Sequence, residues 1–314
     1  MRTRSWLPMV GGVAIVGLVM WRLGAGPFLD GLRLLDIGSV AAAMAIGALT
    51  TTLGAWRWTT FAAGLGVPLP LKTAVARCYR ATFLNATLPG GVLGDVHRAV
   101  GHGREAGSIR RGIRAVVWER MAGQVVQVVL ALAILCTFPS PVRSHMPTVI
   151  AIAAGAGIVA LLAVKTLSKR LRGASADIRD GLLSRQHWGA VLLASVVVAC
   201  GHLATFVIAA RSVGVTAPLT HLVPLLLLAL MAMLVPANVG GFGPREGVAA
   251  WAFAAAGLPA AQGVSSATAY GILVLTASLP GAVVLLWPKA AFTRVKLPAS
   301  RKPAQTPLAA PDLR

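Results

Sequence analysis

Nine ionisable side chains stand in or beside strongly apolar sequence: Arg57, Arg77, Arg80, Arg98, Arg120 and Arg245 against Asp95, Glu119 and Glu246. A charge taken out of water needs a partner, so each acid should find an arginine. Arginines outnumber acids, and the surplus guanidiniums call for anions from elsewhere. A planar guanidinium matches the paired oxygens of a phosphate, and glycine-rich backbone at a helix N-terminus favours the same guests. The chemistry these residue types favour is therefore anion binding. Asp95, Glu119 and Glu246 could also serve as proton-transfer groups of an enzyme, with Arg245 on a phosphate. Against that reading, the chain has no Gly-x-Ser-x-Gly, no His-Glu-x-x-His and no cluster with metal-ligand spacing. Cys78, Cys136 and Cys200 are far apart and odd in number, so no disulfide framework or zinc site follows. No cofactor and no metal is expected.

Two broken stretches must position these charges. The first runs through Asn85, Pro89, Gly90, Gly91, Gly94, Asp95 and Arg98; the second through Pro236, Asn238, Gly240, Gly241, Gly243, Pro244, Arg245 and Glu246. Prolines and glycines at this density do not continue a helix cheaply. The first stretch, within 72–104, has arms of about ten to fifteen residues, which reach about halfway through a hydrocarbon core of ~30 Å. Broken backbone at membrane depth is viable only when buried in protein or lining a wet cavity. Both stretches are expected to be re-entrant helix–loop–helix hairpins, and their similar sequences are the pattern of an inverted repeat around a central site. Arg77, Arg80 and Leu84 share one face of the first arm by their spacing.

The composition agrees with a membrane setting. Of 314 residues, 56% are hydrophobic and 12% charged, and mean hydropathy is +0.76. The net charge of +20 in a soluble protein would suggest nucleic acid. Here the basic residues fall in short segments between apolar runs, as the positive-inside rule requires, and no aromatic-plus-basic reader motif accompanies them. The fold class expected is an all-α integral membrane protein with about six full spans, near 6–21, 37–61, 113–137, 147–164, 188–210 and 264–287. With the first span uncleaved, both termini and both basic loops face the cytoplasm of a plasma membrane. The membrane domain occupies 1–287, and 288–314 is a basic, Pro/Ala-rich tail expected to be disordered. Arg57, between Trp56 and Trp58, reads as a snorkelling interface anchor. Glu119 reads as a local partner of Arg120 or of a neighbouring arginine, and His202 as a hydrogen-bonded packing residue.

Three motifs together resemble a known family. They are Asn85-x-x-Leu88-Pro89-Gly90-Gly91-x-x-Gly94-Asp95-x-x-Arg98, then Trp118-Glu119-Arg120-x-x-Gly123, then Pro236-x-Asn238-x-Gly240-Gly241-x-Gly243-x-Arg245-Glu246-Gly247. Their order over roughly residues 5–290 is similar to that of the lysylphosphatidylglycerol synthase transmembrane, or flippase-like, family. The resemblance implies a multi-pass domain that moves a lipid between leaflets, with Asp95, Arg98, Glu119, Arg120, Arg245 and Glu246 as its functional residues. Its bifunctional members carry a soluble aminoacyl-transferase domain after the membrane region. The chain given ends at Arg314, so synthase activity is not expected of it. Stand-alone members are associated with polyprenyl-phosphate glycan pathways, which keeps open a membrane-embedded enzyme or an accessory subunit. The expected function is binding and flipping of an anionic or zwitterionic phospholipid, or of a polyprenyl-phosphate-type lipid. Arg98, Arg120 and Arg245 would hold the headgroup, with Asp95, Glu119 and Glu246 as their charge partners. The partners expected are membrane lipids and a separate synthase or glycosyltransferase, with no nucleic acid.

Overall fold

A computed structural model describes residues 36–88, 91–143, 185–234 and 243–286. The expected spans at 6–21 and 147–164, the tail, and the loop residues Pro89, Gly90, Pro236, Asn238, Gly240 and Gly241 lie outside these residues. The regular elements described are all helices: α1 Ile37–Gly64, α2 Leu71–Thr87, α3 Leu93–Glu105, α4 Ile109–Thr137, α5 Arg185–Ser212, α6 Leu219–Ala232, α7 Pro244–Ala255 and α8 Ala260–Leu286. Of the six spans expected, four coincide with α1, α4, α5 and α8, each long and apolar enough to cross a membrane. The two interrupted stretches appear as pairs of short helices, α2–α3 and α6–α7, each broken where the Pro/Gly clusters stand.

Two successive sets of four helices follow one plan: long, short, short, long. Their caps agree as well. The end of α1 turns with Gly66 N–H on the Ala63 carbonyl and Val67 N–H on that of Ala62; the end of α5 repeats this with Gly214 on Arg211 and Val215 on Ala210. Proline then precedes the first short helix in both sets, Pro70 before α2 and Pro218 before α6. The second short helices end alike, Ser108 N–H reaching the Gly103 carbonyl and Leu258 N–H that of Phe253. Packing follows the same symmetry. α1 lies against α5, α1 against α8 as α5 against α4, and α2 against α8 as α6 against α4.

α1 and α5 run antiparallel. Ser39, near the start of α1, meets Ser212 at the end of α5 with their hydroxyl oxygens 2.9 Å apart, and Arg57 near the end of α1 meets Ser195. The first turn of α1 is held by Asp36, whose carboxylate accepts the Ser39 N–H at 3.1 Å. That hydroxyl and N–H hold the Asp36 carboxyl below its ordinary value, so this cap contributes above the ordinary carboxylate range and is lost as pH falls through the lowered value.

Apolar helix faces gain little from leaving lipid, so close packing and internal hydrogen bonds must hold such a bundle. Small residues allow it. A Cβ on Gly281 of α8 would lie 2.2 Å from the Tyr79 carbonyl oxygen of α2, whereas a Cβ on Gly54 of α1 would meet nothing within 4 Å. We predict that Gly281→Ala lowers the thermal midpoint of the purified protein, through a strain of about 1–3 kcal/mol. Gly54→Ala, by contrast, should leave it unchanged or raise it. Equal midpoints for the two variants would contradict this α2–α8 contact.

Candidate functional site

The charged residues of the first half meet between α1, α3 and α4, with α2 and α5 closing the sides. α4 supplies Glu119 and Arg120, which as sequence neighbours point about 100° apart around the helix. Glu119 is buried, 2% exposed. Its carboxylate is shared: Oε1 accepts from Arg57 Nη2 at 2.7 Å, and Oε2 from Arg98 Nη2 at 2.7 Å. Arg98 continues the chain of charge through its Nε, which donates to Asp95 Oδ1 at 2.8 Å. Asp95 then accepts from Arg120, whose Nη2 lies 2.7 Å from Oδ2. Glu119 therefore pairs with arginines from two other helices and not with its neighbour Arg120, which pairs with Asp95.

Arg57 departs from its expected role. It does not snorkel to an interface: it is 5% exposed, and Trp58 beside it is fully buried. Its Nη1 donates to Ser195 Oγ of α5 at 2.8 Å. Gly123, one turn beyond Glu119, makes room for it, because a Cβ there would stand 3.0 Å from Arg57 Nη2. The Arg98 guanidinium sits 4.8 Å from the centre of the Trp58 ring, and its Nη1 approaches Cys78 Sγ at 3.4 Å. The Trp58 ring meets His102 edge-on at 5.5 Å, and His102 Nε2 lies 2.9 Å from the Val67 carbonyl oxygen.

The broken hairpin delivers Asp95 to this cluster. Asn85, near the end of α2, accepts the Gly94 N–H at 2.8 Å and donates to Asp95 Oδ2 at 3.0 Å. This one side chain ties the two arms together. Only glycine fits at 94, since a Cβ would fall 2.2 Å from the Ala81 carbonyl oxygen. The first motif is thus a device for crossing α2 and α3 closely and presenting Asp95. Gly91, with φ 63°, lies in the turn before α3.

Three guanidiniums (Arg57, Arg98 and Arg120) meet two carboxylates (Glu119 and Asp95), leaving one positive charge in excess. The excess is not evenly distributed. Arg98 lies between two acids and is 4% exposed. Among the described residues Arg120 pairs with one acid, and 47% of its side-chain surface stays open. Arg57 Nε and Trp58 Nε1 are buried donors without a hydrogen-bond partner among the described residues. Among those residues no group of His, Cys and acids could hold a metal ion.

The second half is built differently on the same plan. Glu246, like Asp95, is the third residue of its short helix. It accepts the Gly243 N–H at 2.7 Å, closing the first turn over a glycine at φ 135°. Arg245 donates to Glu246 Oε1 through Nε at 3.0 Å and again through Nη2. Its guanidinium lies 5.2 Å from the centre of the Tyr270 ring. Tyr270 in turn stacks on Phe206 at 4.6 Å, and its hydroxyl meets His202 Nδ1 at 3.3 Å. So Arg98 and Arg120 share one network, while Arg245 belongs to a second, with His202 and Tyr270 at its inner end. His202 is a hydrogen-bonded packing residue, as its sequence setting suggests. Arg57, Ser195, Trp58 and Tyr270 are the site residues that motif spacing does not reveal. The available signal for Arg57 was a charge inside an otherwise apolar 28-residue helix.

Neutralising the buried Glu119 removes the carboxylate that Arg57 pairs with and leaves Arg98 with Asp95. Glu119→Gln should lower folding stability by about 3–5 kcal/mol, read as a lower thermal midpoint and poorer recovery in detergent. Glu105→Gln, at a half-open pair with Arg77, should cost about 1 kcal/mol or less. Equal losses would show that Glu119 is not the centre of the network.

The comparisons with known proteins agree with the motifs. The family model described as Lysylphosphatidylglycerol synthase TM region matches residues 9–281. No curated protein and no solved structure matches significantly. With its long apolar helices, this is a membrane protein of a family tied to lipid pathways. The chain belongs to the lysylphosphatidylglycerol synthase transmembrane-region family.

Proposed function

We propose that the protein binds a phosphate-bearing lipid, anionic or zwitterionic, and moves it between the leaflets of the plasma membrane. The observation that carries this reading is the surplus of one positive charge in a buried network, with its open side at Arg120. A phosphodiester carries one negative charge and paired oxygens, which a guanidinium can hold by its fork. Arg120 takes the headgroup first. Asp95, shared between Arg98 and Arg120, yields part of its hold on Arg120 as the phosphate arrives. Arg98 and Glu119 keep the site assembled. Arg245 with Glu246 forms the corresponding half-site of the second hairpin, reached past His202 and Tyr270.

In this proposal both broken hairpins are re-entrant and enter from opposite faces, because their parent helices α1 and α5 are antiparallel. Paired half-sites of opposite orientation suit alternating access to the two leaflets. Both termini are cytoplasmic, and the acyl chains remain in lipid throughout. The protein acts as a carrier without bond chemistry, and a separate synthase or glycosyltransferase makes its cargo.

Reconstituted vesicles with a labelled phospholipid in one leaflet test this. Arg120→Gln should keep the wild-type melting midpoint within a few degrees and lower the transbilayer rate at least about tenfold, the loss of one charge-assisted contact. Full transport by a folded Arg120→Gln would overturn the assignment of the headgroup site. Appearance of a lipid product of new mass would favour instead an enzyme or subunit of a polyprenyl-phosphate glycan pathway.

A further inference from the structure

The first hairpin carries a second basic site, separate from the central network. Arg80 lies on α2 and His97 on α3, with Arg80 Nη2 2.9 Å from His97 Nε2. A guanidinium has only donors, so the imidazole nitrogen accepts and the ring is neutral here. Arg80 therefore gains a hydrogen bond but no countercharge. Among the described residues no carboxylate forms a salt bridge with Arg80. Its Nε is buried without a hydrogen-bond partner, and the charged neighbour acting on it is another cation, Arg77. The two acids of α3 are engaged by other arginines, Asp95 by Arg98 and Arg120 and Glu105 by Arg77.

The setting of this pair selects its guest. Arg80 is nine residues beyond Leu71 and His97 eight before Glu105, so the pair lies about 12–14 Å from the base of the hairpin at 1.5 Å per residue. The base carries Lys72 and Arg104. Toward the tip, His97 is followed by exposed apolar side chains on the outer surface of α3: Val96 is 54% exposed and Leu93 48%. A free inorganic anion would gain nothing from that apolar strip. A phospholipid would use both parts, the phosphate against Arg80 and an acyl chain along Val96 and Leu93. The order also fits its orientation, with charge toward the base and apolar surface toward the tip.

We propose that Arg80 and His97 form a peripheral phospholipid site on the outer face of the first hairpin, where Arg80 binds the lipid phosphate and Leu93 and Val96 receive an acyl chain. The phosphate displaces part of the Arg80–His97 contact and supplies the missing countercharge. The site does not depend on transport by the central network, and its test does not use transport.

The experiment counts phosphatidylglycerol retained by the purified full-length protein after exchange into detergent, by quantitative mass spectrometry. Wild type, Arg80→Gln and Arg120→Gln are compared. Arg80→Gln should lower the affinity of one retained phosphatidylglycerol about tenfold, and that lipid should persist in Arg120→Gln. Leu93→Asn/Val96→Asn should weaken the same lipid without removing Arg80. Where Arg80→Gln folds poorly, Arg80→Lys keeps the charge but loses the planar fork, and retention should still fall. Wild-type retention in a folded Arg80→Gln or Arg80→Lys variant would overturn the site. Displacement by millimolar inorganic phosphate, with no effect of the Leu93/Val96 substitutions, would overturn the lipid assignment in favour of a free-anion site. Loss of the lipid in Arg120→Gln alone would assign it to the central network and overturn the proposal.

Discussion

The arrangement depends on one carboxylate divided between two guanidiniums. Glu119 gives one oxygen to Arg57 of α1 and the other to Arg98 of α3, both at 2.7 Å. Three helices are joined by that division, and Arg57 extends it to a fourth through Ser195. In a lipid setting the hydrophobic effect does not bring apolar helices together, so a polar centre of this kind fixes register where close packing alone would leave it loose. The cost is specificity of composition. Removing Glu119 leaves buried guanidinium charge uncompensated. Gly123 and Gly94 follow from the same constraint: one leaves space for Arg57, the other lets α3 cross α2 closely enough to place Asp95.

The two halves share a scaffold but not a charge distribution. The turns after α1 and α5 match bond for bond, proline precedes the first short helix of each set, the second short helices end alike, and Asp95 and Glu246 hold equivalent places at a helix start. Carboxylates there also suit the positive end of the helix dipole. The first half then builds a dense network around Glu119. The second includes the Arg245–Glu246 ion pair and an aromatic group, with Tyr270 between Arg245 and His202. The repeated frame places two groups of ion pairs beside antiparallel parent helices, and the side chains around them make the two unequal. Under the proposed function, that inequality would let one half hold a charged headgroup and the other release it.

Much of this was legible in the sequence because its signals are local. Long apolar runs mark α1, α4, α5 and α8, and Pro/Gly clusters mark the two breaks. The acids and arginines of the three motifs are placed by those breaks, so Asp95, Arg98, Glu119 and Arg120 do meet. Pairing itself was less legible. Arg57 between tryptophans has the look of an interface anchor, and only its contact with Glu119, 62 residues away, shows otherwise. The sequence left Glu119 with Arg120 or another nearby arginine; successive residues on a helix face different directions, and Glu119 pairs with Arg57 and Arg98 while Arg120 pairs with Asp95. Ser195 and Cys78 carry no motif, and Asn85 reveals its two-sided role only when both arms of the hairpin are folded.

The central claim is that the open guanidinium of Arg120 holds a lipid phosphate. Solid-state NMR can measure it directly, as the dipolar coupling between arginine 13Cζ and lipid 31P for labelled protein in phosphatidylglycerol-containing bilayers. The expected result is a carbon–phosphorus distance of about 4 Å, set by charge-assisted hydrogen bonding, and loss of that coupling component in Arg120→Gln while the Arg57 and Arg98 signals persist. An unchanged 13C–31P coupling in the variant would contradict it, and would mean that the network is closed to lipid and serves the fold alone.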